Sequence, residues 1–341
     1  MIVSGRVIDP LQPPYVIAEL GVNHNGSVPA ALKLVEAAHA AGADAVKLQW
    51  FETDRLLSRA ARLASYQKRS GARDPFQMLR PLELDATGLG RVVQFARERG
   101  LHTIVTLFSV EIVQHAEALG FDAYKTASSD IVNRPLLEAL MATGRPLFVS
   151  TGASTLKEIA AAAGWLDQHP NILLQCVSAY PVPETSASLA GRWAIMDASL
   201  NALGYSDHTT AIDTGALAVA TGACVIEKHL TADRRTAGPD HAASLEPEEF
   251  ARYVELVHRA WRMLGPRCKH VLTIEADVRA ASRQSLTTRR ALRAGGVLVR
   301  DDLTIKRPGF GIEPSRLSET LGRRLSRSVE ADVPLREEDL A

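Results

Sequence analysis

Runs of apolar residues alternate with amphipathic stretches through most of the chain. The short apolar runs predict buried strands, and apolar residues at three- and four-residue spacing predict helices. The predicted strands are 15–20, 43–48, 103–107, 123–125, 147–149, 172–176 and two runs that end at His208 and His229. The predicted helices are 29–41, 85–99, 111–119, 135–143, 155–168, 189–200, 211–221 and 247–264. This alternation predicts an α/β fold of the (β/α)8 TIM-barrel type rather than a doubly wound open sheet, whose G-x-G-x-x-G turn does not follow the first strand.

The barrel is predicted to span residues 1–265, with two less periodic segments inside it. Residues 1–14 predict an irregular arm, and the charged insertion 52–84 predicts a loop with one or two short helices. Residues 266–282 are interpreted as a linker, and 283–341 as a small β-rich domain that is too short for a large core and leans on another surface. Its predicted β segments are 285–288, 296–298 and 303–306, and a short helix is predicted near 314–321.

Polar residues fall at the carboxyl end of each predicted barrel strand. In a barrel these ends form one mouth, which is where the chemistry of such folds takes place. In chain order the polar strand ends are Glu19, Lys47, Gln49, Thr106, Lys125, Ser150, Ser178, Ser206, His208, Glu227, Lys228 and His229.

Two histidines follow neighbouring predicted strands of one βαβ unit within residues 204–241. Parallel strands joined in this way end side by side, so His208 and His229 are expected to share one divalent metal ion. Ser206, Lys228 and Asp240 are expected nearby. Glu227 next to Lys228 is equally consistent with a purely stabilising ion pair.

Two lysines and several hydroxyl groups are expected at the same mouth. Lys47 and Lys125, with Thr106, Ser128, Ser150 and Ser206, suit a phosphate or carboxylate ligand, because charge-assisted hydrogen bonds are strong. A metal held by two histidines can polarise a carbonyl group, and Glu19 and Asp130 can complete its shell or move protons. An anion beside a polarised carbonyl indicates carbon–carbon bond formation or cleavage.

Composition narrows the class of protein. The chain has 39 basic and 39 acidic residues, so neither a nucleic-acid nor a membrane surface is indicated. It contains neither a run of about 18 apolar residues nor a signal-peptide pattern. The three cysteines, Cys176, Cys224 and Cys268, are widely spaced and form no CxxC motif, which indicates a reducing, cytoplasmic setting. Cys176 and Cys224 lie in apolar, strand-like contexts and are expected to be small core residues.

Several motifs resemble those of the sialic acid synthase (N-acetylneuraminate synthase) family, and they occur in the family's order over nearly the whole chain. The tail from Arg283 resembles the family's C-terminal antifreeze-like (SAF) domain. The motifs are IAELGVNHNG (17–26), GADAVKLQ (42–49), YKTASSD (124–130), STGAS (150–154), YSDHT (205–209), EKHLT (227–231), GPDHAASLEP (238–247) and KRPGFGI (306–312).

The resemblance implies a TIM barrel with an SAF domain, assembled as a domain-swapped homodimer in which the small domain covers the partner's barrel mouth. It also implies condensation of phosphoenolpyruvate with an open-chain N-acylamino sugar aldehyde, giving a nine-carbon 2-keto-3-deoxy acid and phosphate. A divalent metal, manganese or magnesium, is implied as the cofactor.

The resemblance also implies roles for individual positions. Glu19 matches a carboxylate near the reacting carbon and the metal, and Arg307 matches an arginine that reaches the sugar from the partner subunit. The implied metal ligands are His208 and His229; the positions around phosphoenolpyruvate are Lys47, Thr106, Lys125, Ser128, Ser150 and Ser206; and the sugar contacts are Gln49, Tyr180 and Asp240.

The chain departs from the family pattern mainly on the sugar side. Asp130 stands where many members have glutamate, and Ser178 where sialic acid synthases often have asparagine; Trp50 and Leu107 are further departures. The acceptor therefore need not be N-acetylmannosamine, and a diacetamido-trideoxyhexose or another unusual sugar remains open. Two other functions also remain open: a Schiff-base aldolase that uses Lys125 or Lys47, and a carbohydrate-binding barrel without turnover.

Overall fold

The computed structural model describes residues 1–69, 71–199, 202–266 and 268–341. They form two compact units, Met1–Pro266 and Arg267–Ala341. The strands are β1 Ile2–Val3, β2 Arg6–Val7, β3 Tyr15–Gly21, β4 Ala45–Trp50, β5 His102–Leu107, β6 Ala123–Thr126, β7 Leu147–Ser150, β8 Asn171–Cys176, β9 Leu203–Asp207, β10 Val225–His229, β11 Ser285–Thr288 and β12 Leu303–Lys306. The α-helices are α1 Val28–Ala40, α2 Thr53–Leu56, α3 Ser65–Arg69, α4 Pro75–Leu79, α5 Ala86–Arg97, α6 Val113–Leu119, α7 Arg134–Met141, α8 Leu156–Trp165, α9 Gly191–Ser199, α10 Thr214–Ala220, α11 Pro247–Leu264, α12 Ala276–Ser282 and α13 Leu317–Thr320.

The first unit is a closed barrel, which confirms the predicted fold class. Strands β3 to β10 are parallel and follow one another in sequence order, and β10 pairs with β3 to close the sheet. Strand β3 is buried along its whole length. Strands buried on both faces need near-continuous apolar sequence, which is why the eight runs could be recognised.

Alternation along the strands separates two apolar layers. Outward-facing residues such as Val16 and Val46 pack against the helices in one large core cluster. Inward-facing residues such as Ile17, Ile104 and Phe148 fill the amino-terminal half of the barrel in a second cluster. Nearer the carboxyl ends the inward-facing positions are polar. The amino-terminal half of the barrel is therefore an apolar core, and the carboxyl-terminal end carries the residues that can bind or react.

The amino-terminal arm is more ordered than the sequence predicted. β1 and β2 form an antiparallel hairpin, and the turn between them places Ser4 and Gly5 at φ +43° and +84°. Val3 and Ile8 are buried in the lower barrel cluster. The prediction of an irregular arm was wrong because these apolar residues cover the bottom of the barrel.

The charged insertion also holds more structure than predicted. It contains three short α-helices, α2, α3 and α4, followed by a 3-10 turn at Arg80–Leu82. Its apolar residues Leu56, Leu79 and Leu82 pack with Val22 and Phe51 in a satellite cluster. Because these apolar residues are not spaced at one period, the helices gave no clear signal in the sequence.

Helix α11 is the long amphipathic helix predicted at 247–264. Its first turn is capped by the reciprocal Glu246 and Glu249 contacts, and its buried face includes Phe250, Tyr253 and Val257. Together with α10, which it contacts along its length, it covers the part of the barrel that carries the two histidine strands.

The second unit has its own small core, formed by residues such as Leu286, Leu303 and Leu335. β11 and β12 pair in antiparallel fashion, whereas the β segment predicted at 296–298 makes only an isolated bridge at Val297. The segment predicted as a linker contains a 3-10 turn at Thr273–Glu275 and helix α12. In the described part of both units, none of the helices is long and apolar enough to span a bilayer.

Candidate functional site

A cavity of about 470 Å³ lies at the mouth of the barrel, at the carboxyl ends of the strands. It brings together most of the side chains that the sequence analysis selected. Those that line it are Glu19, Lys47, Gln49, Thr106, Lys125, Ser128, Ser150, Ser178, Tyr180, His208, His229 and Asp240.

Three selected residues do not line this cavity. Ser206 lies just below it, where its hydroxyl donates a hydrogen bond to Glu227 Oε1 at 2.8 Å. Asp130 lies in the 3-10 turn Ser128–Val132, and its Oδ1 accepts a long hydrogen bond of 3.4 Å from Asn133. Arg307 is an exposed residue of the second unit, directly after β12.

One buried ion pair joins β3 to β4. Lys47 Nζ lies 2.5 Å from Glu19 Oε2 and donates to Thr106 Oγ1 at 2.8 Å. Gln49 donates to the other oxygen of Glu19 at 2.9 Å. Burial raises the pKa of Glu19 despite the neighbouring lysine, and burial also lowers the pKa of Lys47. Glu19 is therefore a carboxylate that can accept a proton more readily than an exposed one.

Gly21 allows this polar group to form. It has φ +48°, and a Cβ atom there would lie 2.8 Å from Glu19 Oε1, 3.1 Å from Gln49 Nε2 and 3.3 Å from Asp240 Oδ2. A side chain at this position would push all three apart. Glycine is required both by the backbone conformation and by the close approach.

A second buried ion pair crosses the barrel from β6 to β10. Lys125 Nζ lies 3.0 Å from Glu227 Oε1. Burial alone would raise the pKa of Glu227, but Lys125 and Lys47 outweigh it and lower this pKa to about 2. The environments thus push the pKa values of Glu19 and Glu227 apart, which suits one carboxylate to proton transfer and the other to a fixed negative charge.

Glu227 was placed at the mouth by the sequence analysis, which left open whether it serves the site or only forms an ion pair with Lys228. It lines the cavity and pairs with Lys125, so the ion-pair alternative was wrong. The placement of Lys228 with the residues near the histidine site was also wrong. Lys228 faces away from the cavity and pairs with Asp207 at 3.1 Å. Adjacent strand residues point to opposite faces, and this alternation was the signal that could have identified Glu227.

The two histidines lie together at the mouth, with ring centroids 5.5 Å apart. His208 Nδ1 lies 2.7 Å from the Val177 carbonyl oxygen, so Nδ1–H donates there and Nε2 keeps its lone pair. Burial lowers the pKa of His208 to about 4. Burial, together with His208 and Lys47, also lowers the pKa of His229. Both rings are therefore neutral near pH 7, which is the form that binds metals.

The surroundings of His229 leave room for a ligand. Its Nδ1 is buried and has no hydrogen-bond partner among the described residues, and the Asp240 carboxylate lies 3.8 Å away. In the ranges that the structure describes, His, Cys, Asp and Glu side chains do not form a cluster of three or more with metal-site spacing. The protein thus offers two imidazole ligands, and the remaining ligands of a metal would have to be substrate atoms or water.

An aromatic and apolar wall faces the polar floor. Tyr66 of α3 packs on Tyr180 at 4.9 Å, and Tyr180 packs on His208 at 4.2 Å between ring centroids. Phe51 and Phe108 meet edge to face at 6.0 Å. Leu56, Leu57 and Leu79 extend this wall. Most of these residues belong to the insertion and its borders, so the sequence analysis did not select them.

Comparisons with known proteins identify the family of this chain. The NeuB family matches residues 34–269, and the SAF domain matches residues 283–341. N,N'-diacetyllegionaminic acid synthase of Legionella pneumophila is 36% identical over 97% of this chain and 98% of its own length. Human N-acetylneuraminate-9-phosphate synthase is 31% identical over 98% of this chain and 94% of its own length.

Solved structures give the same result. The N-acetylneuraminic acid synthetase of Leptospira borgpetersenii, solved with citrate, superposes with a TM-score of 0.75 at 30% identity, covering 82% of this chain and 94% of its own. A spore coat polysaccharide biosynthesis protein E from Chromobacterium violaceum superposes with a TM-score of 0.82 at 26% identity, covering 96% and 99%.

Proposed function

Because this chain belongs to the NeuB family and carries its SAF domain, as its motifs predicted, we propose that it condenses phosphoenolpyruvate with the aldehyde of an open-chain N-acylamino sugar. The products are a nine-carbon 2-keto-3-deoxy acid and phosphate. The relatives that support this reaction are named as synthases of legionaminic, neuraminic and pseudaminic acids.

The observation that carries the proposal is the pairing of two kinds of site in one cavity. Lys47 and Lys125 reach it from different strands, and His208 and His229 lie in the same space with neutral, ligand-ready rings. The two lysines can bind an anion, and the two imidazole rings can bind a metal ion that acts as a Lewis acid. A condensation of an enol phosphate with a carbonyl compound needs both.

The lysines and hydroxyls would bind phosphoenolpyruvate. Both lysines are paired with carboxylates, so the anion would replace part of those contacts rather than meet bare charge. The Ser150 hydroxyl is buried and has no hydrogen-bond partner in the described ranges, and it is therefore available to donate to the ligand. Ser128 and Thr106 offer further hydroxyls at the same level.

The carboxylates would divide the proton chemistry. C3 of phosphoenolpyruvate bonds to the aldehyde carbon while the C=O π electrons move to the aldehyde oxygen, which takes a proton from water, and a positive charge develops at C2. Water adds to C2 while Glu19 takes one of its two protons. The C2–O bond to phosphate then breaks as the new C2 hydroxyl gives its proton to the leaving phosphate, which leaves the keto group. Glu227 stays ionised beside Lys125 and stabilises the developing charge.

A divalent metal is the proposed cofactor, with His208 and His229 as its protein ligands. When bound, it would polarise the aldehyde oxygen and so favour attack at the carbon. The buried, unpartnered Nδ1 of His229 and the oriented ring of His208 fit such an ion. Asp240 lies close enough to His229 to orient that ring or a bound water.

The proposed acceptor is a diacetamido-trideoxyhexose rather than a fully hydroxylated sugar. Its deoxy methyl group and two acetyl groups match the wall formed by Phe51, Phe108 and the leucines of the insertion. Ser178 leaves more room than the asparagine expected in sialic acid synthases. The 36% identity to a diacetyllegionaminic acid synthase points in the same direction.

The proposed assembly is a domain-swapped homodimer in the cytoplasm. In that assembly Arg307, which is exposed in its own unit, would reach the acceptor in the partner's barrel. Mixing two inactive variants tests this assembly. An Arg307→Ala chain mixed with a His208→Ala chain should regain activity, since each chain supplies what the other lacks.

The function is tested by phosphate release from phosphoenolpyruvate with Mn²⁺ and a panel of N-acyl sugars, with and without EDTA. We expect release that depends on both the sugar and the metal, and that is fastest with the diacetamido-trideoxyhexose. Activity that survives EDTA, together with borohydride trapping of a lysine adduct, would establish the aldolase instead. Sugar binding without release of phosphate would establish the non-catalytic barrel.

A further inference from the structure

A third buried ion pair lies directly behind the two histidines, on the outer face of the same strands. Asp207 and Lys228 are paired in register between β9 and β10, and their charged atoms lie 3.1 Å apart. Both side chains are 0% exposed. They are sealed between the barrel and the helices that cover it, outside the cavity.

Such a pair needs an explanation, because removing two charges from water costs several kcal/mol per ion. Well-packed apolar residues would fill the same volume at equal or better stability. Buried ion pairs do, however, fix one arrangement of the groups bonded to them, since the bonds have direction and apolar contacts do not.

The bonds of this pair surround the backbone of His208. Asp207 Oδ1 accepts a hydrogen bond of 2.8 Å from the Thr209 backbone N–H, and Lys228 donates to the Thr209 carbonyl oxygen. The residues before and after His208 are thus tied to the same charged pair. Lys228 also immediately precedes His229, so one cluster fixes the chain at both histidines.

A tyrosine on helix α11 completes the cluster. Tyr253 donates its hydroxyl to Asp207 Oδ2 at 2.9 Å. Its ring reaches that position only because residue 215 on α10 is glycine, where a Cβ atom would lie 2.3 Å from the Tyr253 oxygen. The close packing of α10 on α11 at Gly215 therefore allows Tyr253 to donate its hydrogen bond to the Asp207 carboxylate.

We propose that Asp207, Lys228 and Tyr253 are positioning residues that hold His208 and His229 in the geometry that binds a divalent cation. This inference rests on the proposed metal function. Groups behind metal ligands typically change metal affinity by about 10–100-fold when they are removed.

Two tyrosines of the outer layer provide a matched test. Tyr253→Phe removes the bond to Asp207, whereas Tyr205→Phe removes a similar bond of 2.8 Å to the Ala187 carbonyl oxygen. Each variant loses one buried hydroxyl, so the two should lose similar stability in urea unfolding of the metal-free protein. Mn²⁺ affinity, measured by electron paramagnetic resonance of the free ion, should fall about tenfold in Tyr253→Phe and stay within about twofold in Tyr205→Phe.

A second variant separates positioning from stability. The double variant Asp207→Leu with Lys228→Met removes both charges but leaves the Tyr253 hydroxyl and the Thr209 backbone groups without partners. We expect it to be more stable than Lys228→Met alone, with Mn²⁺ binding nevertheless weakened at least tenfold. Equal Mn²⁺ affinity in the two tyrosine variants, or wild-type affinity in the folded double variant, would overturn the positioning role alone. A wild-type protein that does not bind Mn²⁺ would overturn the metal proposal and the positioning role with it.

Discussion

Two ion pairs that use neighbouring residues of β10 differ in how completely they are bonded. Outside the barrel, the side-chain polar atoms of Lys228 and Asp207 all have partners in the described chain. Inside it, Glu227 Oε1 accepts from Lys125 and Ser206, while Oε2 is buried without a partner among the described residues. In the outer pair, Asp207–Lys228, every charged atom has a hydrogen-bond partner, whereas the inner pair, Lys125–Glu227, keeps one unpaired acceptor atom in the part of the chain that the structure describes. The inner pair is where a ligand would act.

Breaking the outer pair should have the largest effect on stability. Lys228→Met leaves the Asp207 carboxylate buried and uncompensated, and we expect a loss of about 3–5 kcal/mol in the free energy of unfolding. Urea titration followed by circular dichroism measures it. Adding Asp207→Leu should recover part of the loss, because it removes the uncompensated charge but leaves the Tyr253 hydroxyl and the Thr209 backbone groups without partners. A double variant as unstable as the single one would contradict this account of the pair.

Breaking the inner pair should instead affect catalysis. Lys125→Met removes a cation from the proposed phosphoenolpyruvate site, and we expect kcat/KM to fall about 10²–10³-fold, as for other preorganised charge-stabilising groups. The loss of stability should be smaller than that of Lys228→Met, because Glu227 keeps its Ser206 bond and lines the cavity, where water can replace the lysine. Wild-type kinetics would refute the assignment of Lys125, and a stability loss as large as that of Lys228→Met would erase the difference between the pairs.

His24 is buried like His208 and His229, but unlike them it does not line the cavity. Burial lowers its pKa to about 4, and its Nδ1 accepts a hydrogen bond of 3.1 Å from the Gly26 N–H. Between pH 6.5 and 4 the unfolded chain binds this proton and the folded chain does not, so the contribution of His24 is present above pH 6.5 and is lost as the pH falls.

The predicted difference between pH 7 and pH 4 is about 3 kcal/mol, at roughly 1.4 kcal/mol per pKa unit. Unfolding curves of His24→Asn should lose that part of the acid dependence. The exposed His39 is the matched control, and His39→Asn should leave the pH profile unchanged. An unchanged profile in His24→Asn would show that this ring does not set the acid sensitivity.

The smallest effects are expected for two threonines on opposite faces of β5. Thr106 on β5 accepts from Lys47 inside the barrel, whereas Thr103 donates to Asp122 at 2.8 Å outside it. Thr106→Val should raise the KM for phosphoenolpyruvate about fivefold, the equivalent of one hydrogen bond of about 1 kcal/mol. Thr103→Val should lower stability by a similar amount without changing KM. A reversed pattern would show that the faces do not divide these roles.

The regular part of the barrel was accessible from the sequence because strands buried on both faces must be apolar along their length. The change from apolar to polar at each strand end then located the mouth. Apart from Ser206, Asp130 and Arg307, the selected residues do converge on one cavity. Their individual roles remain predictions.

What the sequence did not reveal depends on contacts between distant residues. The role of Glu227 was left open between the site and an ion pair with Lys228, because the alternation of side chains along the strand was not used to decide it. Tyr66 joins the wall through its packing on Tyr180, a residue far away in the sequence. Asp130 was selected for its chemistry, but the 3-10 turn that follows β6 carries it away from the cavity lining.

The fit between Gly215 and Tyr253 has an evolutionary consequence. A Cβ at position 215 would also lie 2.4 Å from the Tyr253 Cζ atom, so removing the hydroxyl alone does not relieve the clash. Descendants of a common ancestor should therefore exchange both positions together or neither. Where an alignment column for 253 stays aromatic, the column for 215 should stay glycine.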